Sequence, residues 1–311
     1  MKENEPDQAF VQRGQHILIQ MPSGNVKMVN LKPKTQISLG KFGSFLSDNL
    51  IGQPFGLSYE IYTNKGDIRP VSHSGVNTAV EETSANNQMI IDDSSIQKLS
   101  HEEVLALKEQ GLQGTMAAEE IIKKMVDSHG GFDKKTEYSK AKYIERKKKK
   151  FNKIFIPIRP TLRTMCEYFF NKNPDKIKHL RIDTLSQLLS MANIRAHSKL
   201  LVVDDTQGMI ITAIMERMGG FGTIVGVHEG DNHNYDVMRY MNFPEKMLST
   251  LHTVPFDMVD PETPNDHFDI KTEEEIKDMS EDSRRNYLRR KKAFDIKTTA
   301  RRLLFEGDFD G

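Results

Sequence analysis

The residues best placed to do chemistry in this 311-residue chain are Asp204-Asp205-Thr206-Gln207-Gly208-Met209-Ile210, directly after the apolar run Leu200-Leu201-Val202-Val203. An acidic residue and a glycine-bearing loop at the end of a strand is where a dinucleotide or S-adenosylmethionine would sit. Such a loop, of the form acidic-x-Gly-x-Gly-x-Gly, needs its glycines so that backbone can approach the ligand without side chains between them. Only the middle one, Gly208, is present; Thr206 and Ile210 stand at the other two places. The loop at Asp204, Thr206, Gly208 and Ile210 is therefore predicted to be degenerate, with no cofactor of its own. Glu229, near the end of the next apolar run, is the candidate acceptor for a ribose hydroxyl. His228 and His233 resemble a zinc pair only superficially. Five residues apart on a helix they would diverge by about 140°, and Gly230, Asp231 and Asn232 favour a turn. No G-x-S-x-G elbow, phosphate-binding P-loop or Cys/His array occurs, so neither catalytic residues nor a metal site is expected.

A second stretch has the chemistry of an anion ligand. Between Lys134 and Lys153 lie ten basic residues, Lys134, Lys135, Lys140, Lys142, Arg146, Lys147, Lys148, Lys149, Lys150 and Lys153, against Glu137 and Glu145. The whole chain has a formal net charge of zero, so this is strong local segregation. Such a density repels itself unless something negative lies against it, and a phosphate backbone is a common partner. A solvated helix face and a nuclear import signal fit the same charges. Tyr138, Tyr143 and Phe151 add stacking or packing surface within the run. A second block, Ser283 to Arg302, holds nine basic residues and one acidic one, after eleven acidic residues between Asp257 and Asp282. Pairing between these two blocks and contact with RNA both account for it.

The elements that must carry these residues follow from periodicity. From His16 to Thr63 short alternating bursts (HILIQM, VKMVNL, TQISLG, GLSYEIYT) are punctuated by Gly and Pro, which predicts a small β-barrel over residues 1–63. Residues 64–99 are rich in Ser, Asn, Thr and acids, and read as a flexible insertion. Residues 100–153 form a helical and basic connector, opened by the capping pair Ser100 and Glu103. Residues 154–311 read as a Rossmann-like domain. It has a strand at Leu200–Val203, a helix over Met209–Met218, a strand at Thr223–Val227 and a weaker one around Thr250–Val254. The fold class is thus α/β, with the second domain expected to be C-terminally incomplete because a doubly wound sheet needs more strands. Cys166 is the single cysteine, which excludes a disulfide framework; with no signal peptide and no apolar run of membrane length, an intracellular protein is expected.

Three separated segments, GKFGSF...IGQPFGLSYEIY, FDKKTEYSKAKYIERKKKKF and MANIRAHSKLLVVDDTQG...MERMGG, closely resemble the non-catalytic subunit of the eukaryotic tRNA adenine-58 N1-methyltransferase. The resemblance spans nearly the whole chain apart from the insertion. It implies a degenerate methyltransferase fold and a nuclear heterotetramer of two such subunits with two catalytic ones. It further implies that S-adenosylmethionine binds the partner while this chain helps to bind tRNA. The alternatives are an active S-adenosylmethionine-dependent RNA methyltransferase with an atypical cofactor loop, and a general nucleic-acid-binding module.

Overall fold

The structure, a computed structural model, describes residues 9–63, 65–71, 100–112, 118–129, 132, 136–151, 153–264 and 266–311. It divides into two compact units, Met1–Arg159 and Pro160–Gly311. Among the described residues no helix is long and apolar enough to cross a membrane.

In the first unit the alternating bursts become β1 (His16–Gln20), β2 (Val26–Asn30), β3 (Gln36–Ser38), β4 (Ser44–Leu46) and β5 (Tyr59–Ile61), with a short helix α1 (Ser47–Leu50) between the last two. Two further strands, β6 (Ile68–Pro70) and β7 (Ile154–Ile158), flank the helices α2 (His101–Leu112), α3 (Ala118–Asp127) and α4 (Glu137–Phe151). The antiparallel sheet runs β2-β1-β7-β5-β6, and β3 pairs with β4 as a separate hairpin. Period-two alternation turns Ile17, Ile19, Ile37, Phe45, Tyr59, Ile61 and Phe155 into one buried core. The rings of Phe45 and Phe155 stack at 4.6 Å within it. No pairing among the described residues joins β2 to β6, so the observed arrangement is an antiparallel sheet and a hairpin around a shared core, where a barrel was expected.

Two expected boundaries move. β6 lies inside the segment read as a flexible insertion, and its register with β5 (Glu60↔Arg69, Ile61↔Ile68) shows that three more residues reach the sheet edge. Residues 72–99 of that segment lie outside the described residues. β7 falls within residues 154–311, read as the second domain, yet it sits between β1 and β5. Pro157 is tolerated there because its missing N–H faces the side on which β5 has already ended. On that side the Pro157 carbonyl accepts the Gly56 N–H at 2.9 Å.

The second unit carries β8 (Lys199–Val203), β9 (Thr223–His228) and β10 (Leu251–Pro255) in a parallel sheet ordered β10-β9-β8. Its helices are α5 (Leu162–Lys172), α6 (Ile182–Met191), α7 (Met209–Met218), α8 (Asp236–Tyr240), α9 (Glu245–Leu248), α10 (Glu273–Lys277) and α11 (Glu281–Glu306). The expected strand-helix-strand crossover is β8-α7-β9, and the weak third strand is real. Val225, Val227 and Val254 on one sheet face pack against Ala300, Leu303 and Leu304 of α11. On the other face, Gly226 lies beneath Ile211 of α7 and Tyr235. Asp310 and Gly311 hydrogen-bond along β8, to Lys199 and Leu201.

Because Phe155 joins β7 to the shared core, Phe155→Ala is expected to destabilise the first unit by about 3–5 kcal/mol in urea unfolding. A change below about 1 kcal/mol would show that β7 is not part of that core.

Candidate functional site

The basic run is carried by α4, and its burial is uneven. Thr136 begins the helix by accepting the Ser139 amide, and Glu137 lies in the first turn where the helix dipole favours an acid. Lys147 to Lys150 fall in the last turns, where the same dipole favours cations. α3 packs along α4 and buries Ile121, Ile122 and Met125. Beside it, His129, Phe132 and Tyr143 form an edge-to-face trio with centroids 5.2 to 6.5 Å apart. Burial pushes the Tyr143 hydroxyl pKa up. Lys140 turns into this cluster, only 7% exposed, with its ammonium 5.7 Å from the Phe132 ring, so it is withdrawn from the surface. Lys147 is half-buried over Tyr143. Lys142 and Arg146 are exposed, Lys142 lying over the open ring of Tyr138. Lys148, Lys149 and Lys150 continue the helix. Lys153, half-buried beyond it, has its pKa lowered by burial, partly offset by Glu60. Lys134 and Lys135 lie outside the described residues.

In the loop after β8, Asp204 is buried and points inward. One carboxylate oxygen accepts the amide and hydroxyl of Thr206, both at 2.6 Å, and the other accepts the Ile211 amide at 3.0 Å. The start of α7 is thus already occupied by an internal anion. Gln207 and Gly208 both have positive φ (58° and 80°), which turns the chain sharply into α7. Over the loop sits Tyr235. A Cβ on Gly208 would lie 2.6 Å from its Cβ, and one on Gly226 would lie 3.1 Å from its hydroxyl oxygen. The fully buried Tyr235 ring therefore spans the space between the loop and β9. It stacks on His233 at 4.6 Å, and burial, reinforced by Asp204, raises its pKa well above the usual phenol. A ligand approaching Gly208 would meet the Tyr235 backbone and Cβ, so the residues present do not fit an adenosyl cofactor. Glu229 is exposed, and His228 and His233 meet as rings 6.0 Å apart in the turn that follows. Cys166 is buried, its Sγ donating toward the Leu180 carbonyl, and burial pushes the thiol up to about 11.

Sequence reasoning isolated Thr206 and Ile210 as the obstacles and missed Tyr235. The signal was a glycine inside the β-branched run TIVGVH, since a strand glycine often marks the close approach of another group.

The second basic block is α11, and it is partly neutralised. Arg285 pairs with Asp282, Lys292 with Glu245 at 2.9 Å, Lys297 with Asp266 at 2.6 Å, and Arg302 with Glu306. Buried Arg301 donates to the carbonyls of Asp260, Pro261 and Thr263. Phe268 stacks on Phe294, so the acidic segment is bound to the helix by packing as well as charge. Arg284, Arg289 and Arg290 stay exposed.

The Gcd10p family matches residues 10–286 of this chain. A Debaryomyces hansenii protein named tRNA (adenine(58)-N(1))-methyltransferase non-catalytic subunit TRM6 is 35% identical over 335 residues, which cover 100% of this chain and 70% of its own length. Proteins of the same name from Mus musculus and Schizosaccharomyces pombe are 32% and 34% identical over 75% of this chain. The chain spans 46% and 50% of their respective lengths.

Gly208→Ala combines a left-handed backbone with a collision against Tyr235. Gly230→Ala, at φ 69°, meets nothing within 4 Å. Urea unfolding should show Gly230→Ala losing about 1–2 kcal/mol from backbone strain alone, and Gly208→Ala losing a further 1–3 kcal/mol, roughly, from overpacking. Equal losses would mean that Tyr235 does not fill this space.

Proposed function

This chain belongs to the Gcd10p family, and on that premise we propose that it is the non-catalytic, tRNA-binding subunit of a tRNA (adenine-58-N1)-methyltransferase. The observation that carries the reading is the family match across both units, together with relatives named as non-catalytic subunits of that enzyme. In this reading the first unit is a curled, barrel-like module and the second a degenerate Rossmann-like methyltransferase domain. S-adenosylmethionine is held by a catalytic partner, and two copies of each subunit form the assembly. The Tyr235 ring over Gly208 supports the division of labour, because it argues against an active methyltransferase with an atypical loop.

The contribution of this chain is then grip. By sequence Lys142, Arg146 and Lys149 recur at i, i+4 and i+7 in α4, and Lys142 and Arg146 are exposed. The aromatic trio and α3 hold the opposite side, so the cations need not be ordered when RNA arrives. Lys134, Lys135, Lys147, Lys148, Lys150 and Lys153 extend this positive field, and Lys140 supports it from inside. The run Arg146 to Lys150 also has the composition of a nuclear import signal, which agrees with a nuclear location.

The test is tRNA binding by the assembled complex across a salt series. Replacing Lys142, Arg146 and Lys149 by alanine is expected to weaken binding roughly tenfold or more and to reduce the salt slope by about 2–3, without unfolding a helix that alanine favours. An unchanged slope would overturn the role of α4. Equal affinity for duplex DNA at matched salt would favour a general nucleic-acid module instead.

A further inference from the structure

In the second unit a cleft of about 300 Å³ opens between α11 and the outer strand β10. Leu288, Lys291, Lys292, Asp295, Ile296 and Thr299 line one side and His252 the other. Leu288, Lys292, Asp295 and Thr299 recur at i, i+4, i+7 and i+11, so one helical stripe faces the cleft. The chemistry along it is mixed. Leu288 is 46% exposed, and Ile296, two turns further along the helix, is a second apolar lining residue. Among the described residues Lys291 and Asp295 have no ion-pair partner, whereas Lys292 is anchored by Glu245 at 2.9 Å. His252 has its Nδ1 shut away from solvent without a hydrogen-bond partner, and burial, reinforced by Arg302, depresses its pKa.

We propose that this cleft binds one guanosine monophosphate unit, supplied as an unpaired residue of RNA. The volume suits a single nucleotide and little more, at the lower limit of ligand cavities. Ile296, next to Asp295 on the helix, offers an apolar surface to the flat face of a base. Asp295 is an acceptor with two oxygens, and the Watson–Crick edge of guanine presents N1–H and N2–H side by side, a pair of donors that adenine, cytosine and uracil lack. That edge is open only in an unpaired residue, which is how bases in single-stranded RNA are read. Lys291 and Lys292 stand four and three residues before Asp295, one turn along the helix, to take the phosphate, with Arg289 exposed on the preceding turn. The inference rests on the RNA-binding reading for the source of the nucleotide, but uses none of the residues of α4.

Calorimetry on the full chain separates the possibilities. The probes are 5′-GMP, 5′-AMP, a short single-stranded oligoribonucleotide with one guanosine, and the same oligonucleotide annealed to its complement. Saturable binding of GMP and of the single strand is expected, with AMP and the duplex roughly tenfold weaker or more. The Lys291→Ala/Asp295→Ala double variant, which puts two good helix formers on an exposed stripe, should lose the preference for GMP over AMP while melting at the same temperature. Thr299→Phe, which fills the cleft, should abolish binding of both. The site is overturned by absence of GMP binding, by equal affinity for AMP, or by an unaltered double variant. GMP binding without single-strand binding overturns the RNA source. Because the α4 variant leaves this cleft intact, loss of tRNA binding there with GMP binding retained, or the reverse, shows which of the two readings has failed.

Discussion

The buried carboxylate of Asp204 and the ring of Tyr235 set what the second unit can do. A carboxylate taken out of water is stable only when its oxygens are satisfied, and here Thr206 and Ile211 satisfy both. That bonding ties the loop down against the start of α7 and uses the amides that would otherwise meet an incoming anion. Gly208 then lets Tyr235 close over the loop, and Gly226 leaves room in β9 for its hydroxyl. A strand-loop-helix that has the outline of a ligand site has become part of the hydrophobic core. The glycines that survive serve the protein's own tyrosine.

With that site closed, the distribution of charge gains importance. The chain is neutral as a whole, yet α4 concentrates cations that nothing within the helix neutralises beyond Glu137 and Glu145. Their mutual repulsion opposes helix formation, and packing of Tyr143, Phe132 and His129 together with α3 offsets it. α11 handles a similar density differently. There Glu245, Asp266 and Asp282 take up individual charges, and Phe268 with Phe294 clamps the acidic segment down. Exposed ion pairs of this kind contribute about 0–1 kcal/mol each, so the aromatic contact matters at least as much. Among the described residues α4 thus leaves Lys142 and Arg146 exposed, while α11 is partly spoken for by the protein itself.

The sequence was most legible where periodicity was strong. The β-bursts of the first unit and the crossover β8-α7-β9 could both be read from residue types. β7 was not, because the residues it pairs with lie far upstream, Leu18 opposite Ile158 and Tyr59 opposite Phe155. β6 is three residues long in a polar context, too short for a pattern to register. Lys140 shows a limit of charge counting: it belongs to the basic run by composition and to the aromatic cluster by packing. Tyr235 escaped notice because a side chain filling a cleft from a following loop leaves no periodic trace.

We propose that this chain contributes binding surface and leaves cofactor chemistry to a partner, since Tyr235 and the Asp204 carboxylate occupy its own loop. The most direct measurement is calorimetric titration of S-adenosylmethionine into this chain alone. No saturable heat up to about 1 mM, roughly −4 kcal/mol of binding free energy, is the predicted result. Micromolar binding at one site per chain would contradict the account, because it would require Tyr235 to leave the space between Gly208 and Gly226 at little cost.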